Sequence, residues 1–573
     1  MKLVPPTRRQ NLAIGSPSAE VPDLLSPRTF FILALCVVAV VFGVYSPALA
    51  FQFVLDDHRY TSDPRIQYSG HVWEYFANYT WAQFIGGPPS FYRPLFILWL
   101  RINFILSATS PWGWHFRAIT THVTVSVLLG LLVWRLLRDH VAALVAATLF
   151  ALHPAQTESV GWVSVPDPLM SACILGAALL YLRHATGFRG IKDQGKKSRR
   201  TVRSKESTPT GAAAWMISSA SVCFAALLVK ETAMVLPALI LALALLMPRG
   251  EKGDADFGVR LVRAFRQTLP FLCVTVFYVL MRLNALGGKL GSRTQHLPFR
   301  IVLLSWPATL WFYAKVLLWP VRSHAFADPT LADGFSLGGV LLPCLGVVGA
   351  VAVLTTAVFW AWRKAQRELR DQEAVGVEYA LLMGTLLLVL PLLPALHLNA
   401  LNPGDFLHGR YTYLPSAGLM LLVATGWHLA GKNRIPLLCA GGLLAVVFAV
   451  LVVSQVGQWK DDLTVFTIAH ALAPHNAPVA QHLADAHVQS ALLLADDGRC
   501  DEAMPVFEQV SHEYPQDWYA WAGLGICFVQ VNNLTKAEES LHRAAELSHD
   551  SRVMQQWQEL RANMGLPNSV PRD

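Results

Sequence analysis

The sequence predicts an all-α, polytopic integral membrane protein that carries a soluble helical tail after its last membrane-spanning segment. Of its 573 residues, 54% are hydrophobic and only 15% charged, and the mean hydropathy is +0.40. These values lie outside the range of soluble globular domains. The apolar residues fall in blocks of about twenty, the length that crosses ~30 Å of hydrocarbon as a helix. Backbone groups in lipid must be paired within their own segment, so these blocks are helices rather than open strands. Past residue 460 the pattern turns polar, with Ala, Leu and aromatic residues at helical spacing.

Crossings are expected near 29–50, 117–137, 141–153, 168–184, 212–229, 232–249, 266–283, 336–362, 378–398, 411–430 and 434–455, about eleven in all. The net charge of +8 would suggest nucleic acid if it formed a patch on a soluble domain. Here the basic residues instead flank apolar blocks. Nine Lys/Arg lie between Arg183 and Lys205, with others at Arg8, Arg9, Arg28, Arg135, Arg138, Arg363 and Lys364. The positive-inside rule accounts for them without a nucleic-acid partner. It puts the N-terminal tail 1–28 in the cytoplasm, together with 135–140, 183–211, 249–265, 363–377 and 431–434.

The apolar block 300–319 is long enough to span, but one crossing there would invert every later loop. It is therefore expected to re-enter, to lie along the outer surface, or to belong to a pair of broken helices. Eleven crossings leave the C-terminus outside, in the periplasm or extracellular space, or in the ER lumen of a eukaryote. Ala48-Leu49-Ala50 has the small residues of a signal-peptidase site, although the apolar stretch before it is longer than a usual signal core.

The segment 456–573 is expected to form a domain outside the membrane. Glu502-Ala503 and Lys536-Ala537 lie 34 residues apart, and Phe507/Leu541 and Val510/Ala544 keep that offset. Pro474 and Pro515 close helical units, while Trp518, Trp521, Leu524 and Gly525 open the next pair. This is the tetratricopeptide period. Two repeats and a terminal helix are few for an independent solenoid, so a plain helical hairpin packed on the membrane domain is the alternative. Cys36, Cys173, Cys223, Cys273, Cys344 and Cys439 sit in apolar blocks as small hydrophobes. Cys500 and Cys527 lie in the tail, on the side where a disulfide is allowed.

The ionisable residues of interest collect in the loops of one side. The first outer loop, 51–116, opens FQFVLDDHRYTSDPRIQ, with Asp56 and Asp57 directly after a helix end and Arg93 and Arg101 beyond. The second holds LHPAQTESVGW with His153 and Glu158. Lys230-Glu231 occupies a tight outer turn, and HGRYTYLP brings His408 and Arg410. Singly, each has an ordinary explanation: a solvated turn, a helix stop, an exposed pair, an interfacial anchor. Together they suit a phosphorylated lipid and a hydroxyl acceptor. A carboxylate can take the acceptor's proton, while Lys and Arg hold a phosphate and stabilise its leaving charge.

FVLDDHRYTSDPRI, FYRPLFILWLRINF, HPAQTESVGWVS, VKETAMVLP, GRYTYLPSAG and the WKDDL of Trp459–Leu463 followed by repeats resemble the TMTC family. Those transmembrane and tetratricopeptide-repeat proteins are related to the protein O-mannosyltransferases of the GT-C superfamily, and the resemblance runs from about residue 29 to the end. It implies a GT-C-like membrane domain over 29–455 and inverting transfer of a sugar, mannose above all. The donor would be a polyprenyl-phosphate sugar held at the membrane lipid, and the acceptor a protein hydroxyl. It also implies Asp56 as general base, Asp57 supporting it, and Glu158 as a second acid near the acceptor or a divalent metal; no cofactor is otherwise indicated. His153, Lys230 and Arg410 match motif positions at the outer face, and our physical reading gives them the donor phosphate. Arg93 would orient the acidic pair. The chain departs from the family pattern at Gln156, where many relatives carry His, and at Val165-Pro166, where they carry Gly-Arg.

Two other classes compete. A secondary transporter or lipid flippase would show mid-membrane charges and duplicated crossings, and the sequence has few of the first and none of the second. A non-catalytic scaffold would use the repeats alone and would have no reason to gather Asp56, Glu158, Lys230 and Arg410 in one place.

Overall fold

The computed structural model describes residues 27–68, 70, 72–82, 91–185, 209–246, 256–289, 296–321, 331–369, 371–400, 407–431, 434–548 and 551–566. Residues 1–26 of the N-terminal tail, expected in the cytoplasm, and most of the basic segment 183–211 lie outside the described residues. Every regular element among those described is helical.

Helix α1 (Pro27–Tyr45) is apolar from Phe30 onward and leads by a 3-10 turn into the first of the loops expected outside, called the first outer loop. That loop is a folded unit built from α2 (Asp56–Ser62), α3 (Pro64–Gln67), α4 (Glu74–Ala77) and α5 (Pro94–Ser107). Asp63 caps α3 by accepting the Arg65 N–H at 2.9 Å, and it also holds the fully buried Arg65 guanidinium. Arg65 donates in turn to the Thr80 carbonyl, and Arg101 donates to the carbonyls of Ile66 and Tyr68 at 2.8 Å each. Buried guanidinium groups must be matched in this way. Arg101 is thereby a strut of the loop.

The membrane bundle follows: α6 (Pro111–Leu137), α7 (His140–Ala151), the short outer α8 (Thr157–Gly161), α9 (Asp167–Ala185), α10 (Pro209–Val229), α11 (Val235–Leu246), α12 (Phe257–Ala285), α13 (Phe299–Leu318), α14 (Leu342–Glu368), α15 (Asp371–Val389), α16 (Tyr413–Leu429) and α17 (Arg434–Val456). Seven described helices are long and apolar enough to cross a membrane, and α7 and α11 are shorter apolar helices packed among them. One continuous apolar core joins α1, α6, α7, α9 to α11 and α15 to α17. The protein is thus a multi-pass helical membrane protein.

Its turns segregate to two ends. At one end Asp139 caps α7 through the Val141 and Ala142 N–H groups, and it also meets Arg434 and His428 at 3.0 Å each. This joins the α6–α7 and α16–α17 turns, both read as inside from their charge. At the other end lie the loops with the candidate site residues.

Helix α13, the ambiguous block, is one unbroken helix that accommodates Pro307. It is therefore not a broken pair. Near its start Asn399 accepts the Leu297 N–H at 2.7 Å, and at its end the Leu317 carbonyl accepts from His153 at 3.0 Å. Just beyond it, Gln455 donates to Pro320 at 3.0 Å. Both ends meet loops of the same face, which favours a helix lying along that face.

The tail begins with α18 (Asp462–Leu472), followed by the helix pairs α19 (Ala477–Asp496) with α20 (Cys500–Glu513) and α21 (Trp518–Gln530) with α22 (Leu534–Ser548), and by α23 (Ser551–Asn563). Val465, Phe466, Ala469 and Val479 belong to the membrane-domain core, so the tail is docked on the bundle. The later helices bury their own core around Phe507, Leu524 and Leu541. Cys500 and Cys527 are disulfide-bonded with Cα atoms 5.3 Å apart, linking α20 to α21.

Candidate active site

The first outer loop places its two aspartates in different surroundings. Asp57 is buried, accepting the Val54 N–H at 3.1 Å and, from the second outer loop, the Ser164 N–H at 3.0 Å. Burial pushes its carboxyl up to about 7 against the opposing pull of the Ser164 and Val54 hydrogen bonds. Asp56, one residue earlier, stays partly exposed at the first position of α2. It follows Leu55, whose backbone is held at φ +55° and ψ −126°. A β-carbon is disfavoured there, at about 1–3 kcal/mol. The Tyr60 hydroxyl lies within electrostatic range of both Asp56 and Arg93.

From Arg93 a chain of charge pairs crosses the site. Arg93 grips Glu231 with both arms of its fork, at 2.6 and 3.0 Å. Burial alone would raise Glu231, but the Arg93 guanidinium outweighs it and holds that carboxyl at about 2. Lys230 next door donates to both oxygens of Asp167 at 2.6 Å. Its ammonium lies 5.1 Å from the centre of the Tyr411 ring and feels the charges of Arg93 and Arg410. Glu158, buried, accepts from His408 Nδ1 at 3.1 Å and from the Arg410 N–H at 3.0 Å. Gly409 leaves the space for that approach, since a β-carbon there would stand 3.1 Å from Glu158 Oε2. The Arg410 guanidinium stands 3.7 Å from Glu158 and 4.4 Å from the centre of the Trp162 ring. Its side chain is 17% exposed against 5% for Lys230.

Glu158 and Arg410 are therefore in contact, Lys230 adjoins them through Tyr411, and Asp56 joins through Tyr60 and Arg93. His153 is different. It is fully buried, its Nδ1 accepts the Ala155 N–H at 3.2 Å and its Nε2 donates to Leu317. Both ring nitrogens are committed to the fold, so His153 anchors α13 to the second loop. Arg93, expected to orient the acidic pair, is engaged with Glu231. Among the described residues, no three His, Cys, Asp or Glu side chains are grouped as a metal ion would need.

Sequence reasoning missed Asp167, Trp162 and Tyr411. Asp167 stands before Pro168 at the start of α9, where an acidic residue reads as an ordinary helix start. Only the spatial arrival of Lys230, 63 positions later, marks it as a charge partner.

A multi-pass helical membrane protein with a repeat-bearing tail and a charged cluster at one end is the class these features define. The tetratricopeptide repeat family matches residues 494–563. The chain is 24% identical to mouse "Protein O-mannosyl-transferase TMTC3" over 89% of its own length and 54% of that protein. It is 25% identical to Drosophila melanogaster "Protein O-mannosyl-transferase Tmtc1" over 77% of this chain and 57% of that one. It therefore spans about half the length of the curated relatives it matches. Among solved structures, the apo Archaeoglobus fulgidus oligosaccharyltransferase aligns with a TM-score of 0.39 and 14% identity, covering 80% of this chain and 60% of that one. The chain is thus similar to the TMTC proteins over most of its length, in agreement with the resemblance of its motifs.

Proposed function

We propose that this chain is a membrane glycosyltransferase that moves a sugar, mannose in our reading, from a polyprenyl-phosphate donor to a hydroxyl of a protein acceptor, with inversion. The observation that carries the reading is the polar cluster itself. Asp56, Arg93, Glu231, Lys230, Asp167, Glu158 and Arg410 come from loops far apart in sequence and meet at one end of an apolar bundle. Holding such charges in low dielectric is costly, which argues for a use beyond packing. The names of the matched relatives support the same class.

In this reading the acceptor oxygen attacks the anomeric carbon as the bond from that carbon to the phosphate breaks. The hydroxyl proton passes to the Asp56 carboxylate, and the bonding pair leaves with the polyprenyl phosphate. Arg410, the more exposed cation, meets the phosphate charge that develops. Lys230 adds to the local positive potential from behind Tyr411, while Asp57 and Glu158 fix the two loops that carry Asp56 and Arg410. A partner-binding scaffold remains the competing reading, and the test separates them. The purified full chain is given polyprenyl-phosphate mannose, glucose or N-acetylglucosamine with a hydroxyl-bearing protein acceptor. Mannose transfer is expected, and no transfer from any donor would favour the scaffold.

A further inference from the structure

The WKDDL segment that links α17 to the tail reaches back into the first outer loop. Its two aspartates divide the work. Asp461 caps α18, accepting the Thr464 N–H at 2.8 Å and the Thr464 hydroxyl at 2.6 Å. Asp462 turns the other way: its Oδ1 accepts the Leu55 N–H at 2.8 Å and its Oδ2 accepts from His58 Nε2 at 3.0 Å. The Lys460 carbonyl accepts the Gln52 N–H at 2.9 Å. Three bonds to two tail-side residues, Lys460 and Asp462, thus bracket Asp56 across more than 400 positions of sequence. Trp459, in the same segment, is buried and stacked on Trp162 with ring centres 6.1 Å apart. A β-carbon on Gly161 would come within 2.7 Å of it.

Leu55 is the residue with the disfavoured positive φ, and its N–H is the one that Asp462 holds. An unfavourable backbone conformation persists only where surrounding structure over-determines it. We propose that Asp462 is a positioning residue: it clamps the Leu55 turn, and so sets where Asp56 meets the acceptor hydroxyl. The proposal rests on the reading that Asp56 takes that proton. It makes the junction of the repeat-bearing tail part of the site's scaffold, although Asp462 does not touch the substrate.

The test uses the full chain with Asp462→Ala and Asp462→Asn. Alanine removes both acceptors, while the asparagine oxygen can still accept the Leu55 N–H. In Asp462→Ala, turnover should fall about 10–100-fold, the scale of a displaced reacting group, with donor affinity unchanged. Amide exchange over residues 52–58 should rise while that of the α3 segment does not. Asp462→Asn should keep the protection and most of the turnover. The proposal is overturned if Asp462→Ala retains wild-type turnover, whether or not exchange rises, or if Asp462→Asn is as damaging as alanine. Failure of the base reading looks different: Asp56→Asn would then turn over normally. Should Asp462→Ala not fold, the asparagine variant with its exchange pattern still decides the outcome.

Discussion

The Lys230 ammonium lies 2.6 Å from each carboxylate oxygen of Asp167, and both side chains are almost wholly buried. Breaking such a pair leaves one buried charge without its partner, which costs about 3–5 kcal/mol. Lys230→Ala and Asp167→Ala should each lower the thermal midpoint of the detergent-solubilised protein strongly. The double variant should be less damaged than the two singles sum to. Simple additivity would contradict a direct pairing.

Asp57 predicts a pH dependence. Its folded-state carboxyl titrates at about 7 because of burial, while an unfolded aspartate titrates near ~3.9. Between those values the folded chain binds more protons than the unfolded one. The stability this group lends is therefore full below about pH 4 and lost as pH rises towards 7, at no more than about 1.4 kcal/mol per pH unit. Melting curves from pH 4 to 8 should show this decline in the wild type and a flatter profile in Asp57→Asn. An unchanged slope in the variant would assign the decline to another group.

Arg410 is predicted to act on the donor. Arg410→Ala removes a cation from the phosphate and should weaken polyprenyl-phosphate binding about 10–100-fold, the scale of a charge-assisted hydrogen bond. Glu158→Ala should weaken it too, by releasing the His408–Arg410 loop that Glu158 holds. Direct binding of a polyprenyl-phosphate sugar to both variants in lipid nanodiscs is the measurement. Wild-type affinity in Arg410→Ala would remove it from the phosphate site.

The Cys500–Cys527 disulfide closes a loop of 27 positions between two tail helices. Replacing both cysteines by serine should destabilise the tail by about 2–4 kcal/mol, read as earlier protease cleavage between residues 494 and 563. A bond formed in the cell also requires an oxidising compartment, so labelling of intact cells should find neither thiol free. Free thiols there would argue against an outer location for the tail.

The fold was legible in the sequence where solvent alone dictates it. Twenty-residue apolar blocks must be helices in lipid, and the helices form close to where hydropathy put them. The 34-residue offset of Phe507 and Leu541 likewise reports a repeat, because both must fill the same place in successive helix pairs. The site was legible only as a list. Which cation meets which carboxylate depends on helix packing, and Arg93 finds Glu231 138 positions away. His153 read as a ligand because ring nitrogens serve metals, phosphates and carbonyls alike, and only the arrival of Leu317 decides among them. Asp462 looked like part of a motif, and its reach to Leu55 needed the folded chain.

Asp56→Asn tests the central claim most directly. Asparagine keeps the shape and one acceptor oxygen of the side chain but cannot take a proton from a hydroxyl at neutral pH. Turnover and donor affinity of the purified variant are compared with those of the wild type. The account predicts a loss of about 10²–10⁴-fold in turnover, with donor affinity and thermal midpoint close to wild type. Wild-type turnover in Asp56→Asn would contradict it and would leave this carboxylate without a part in the chemistry.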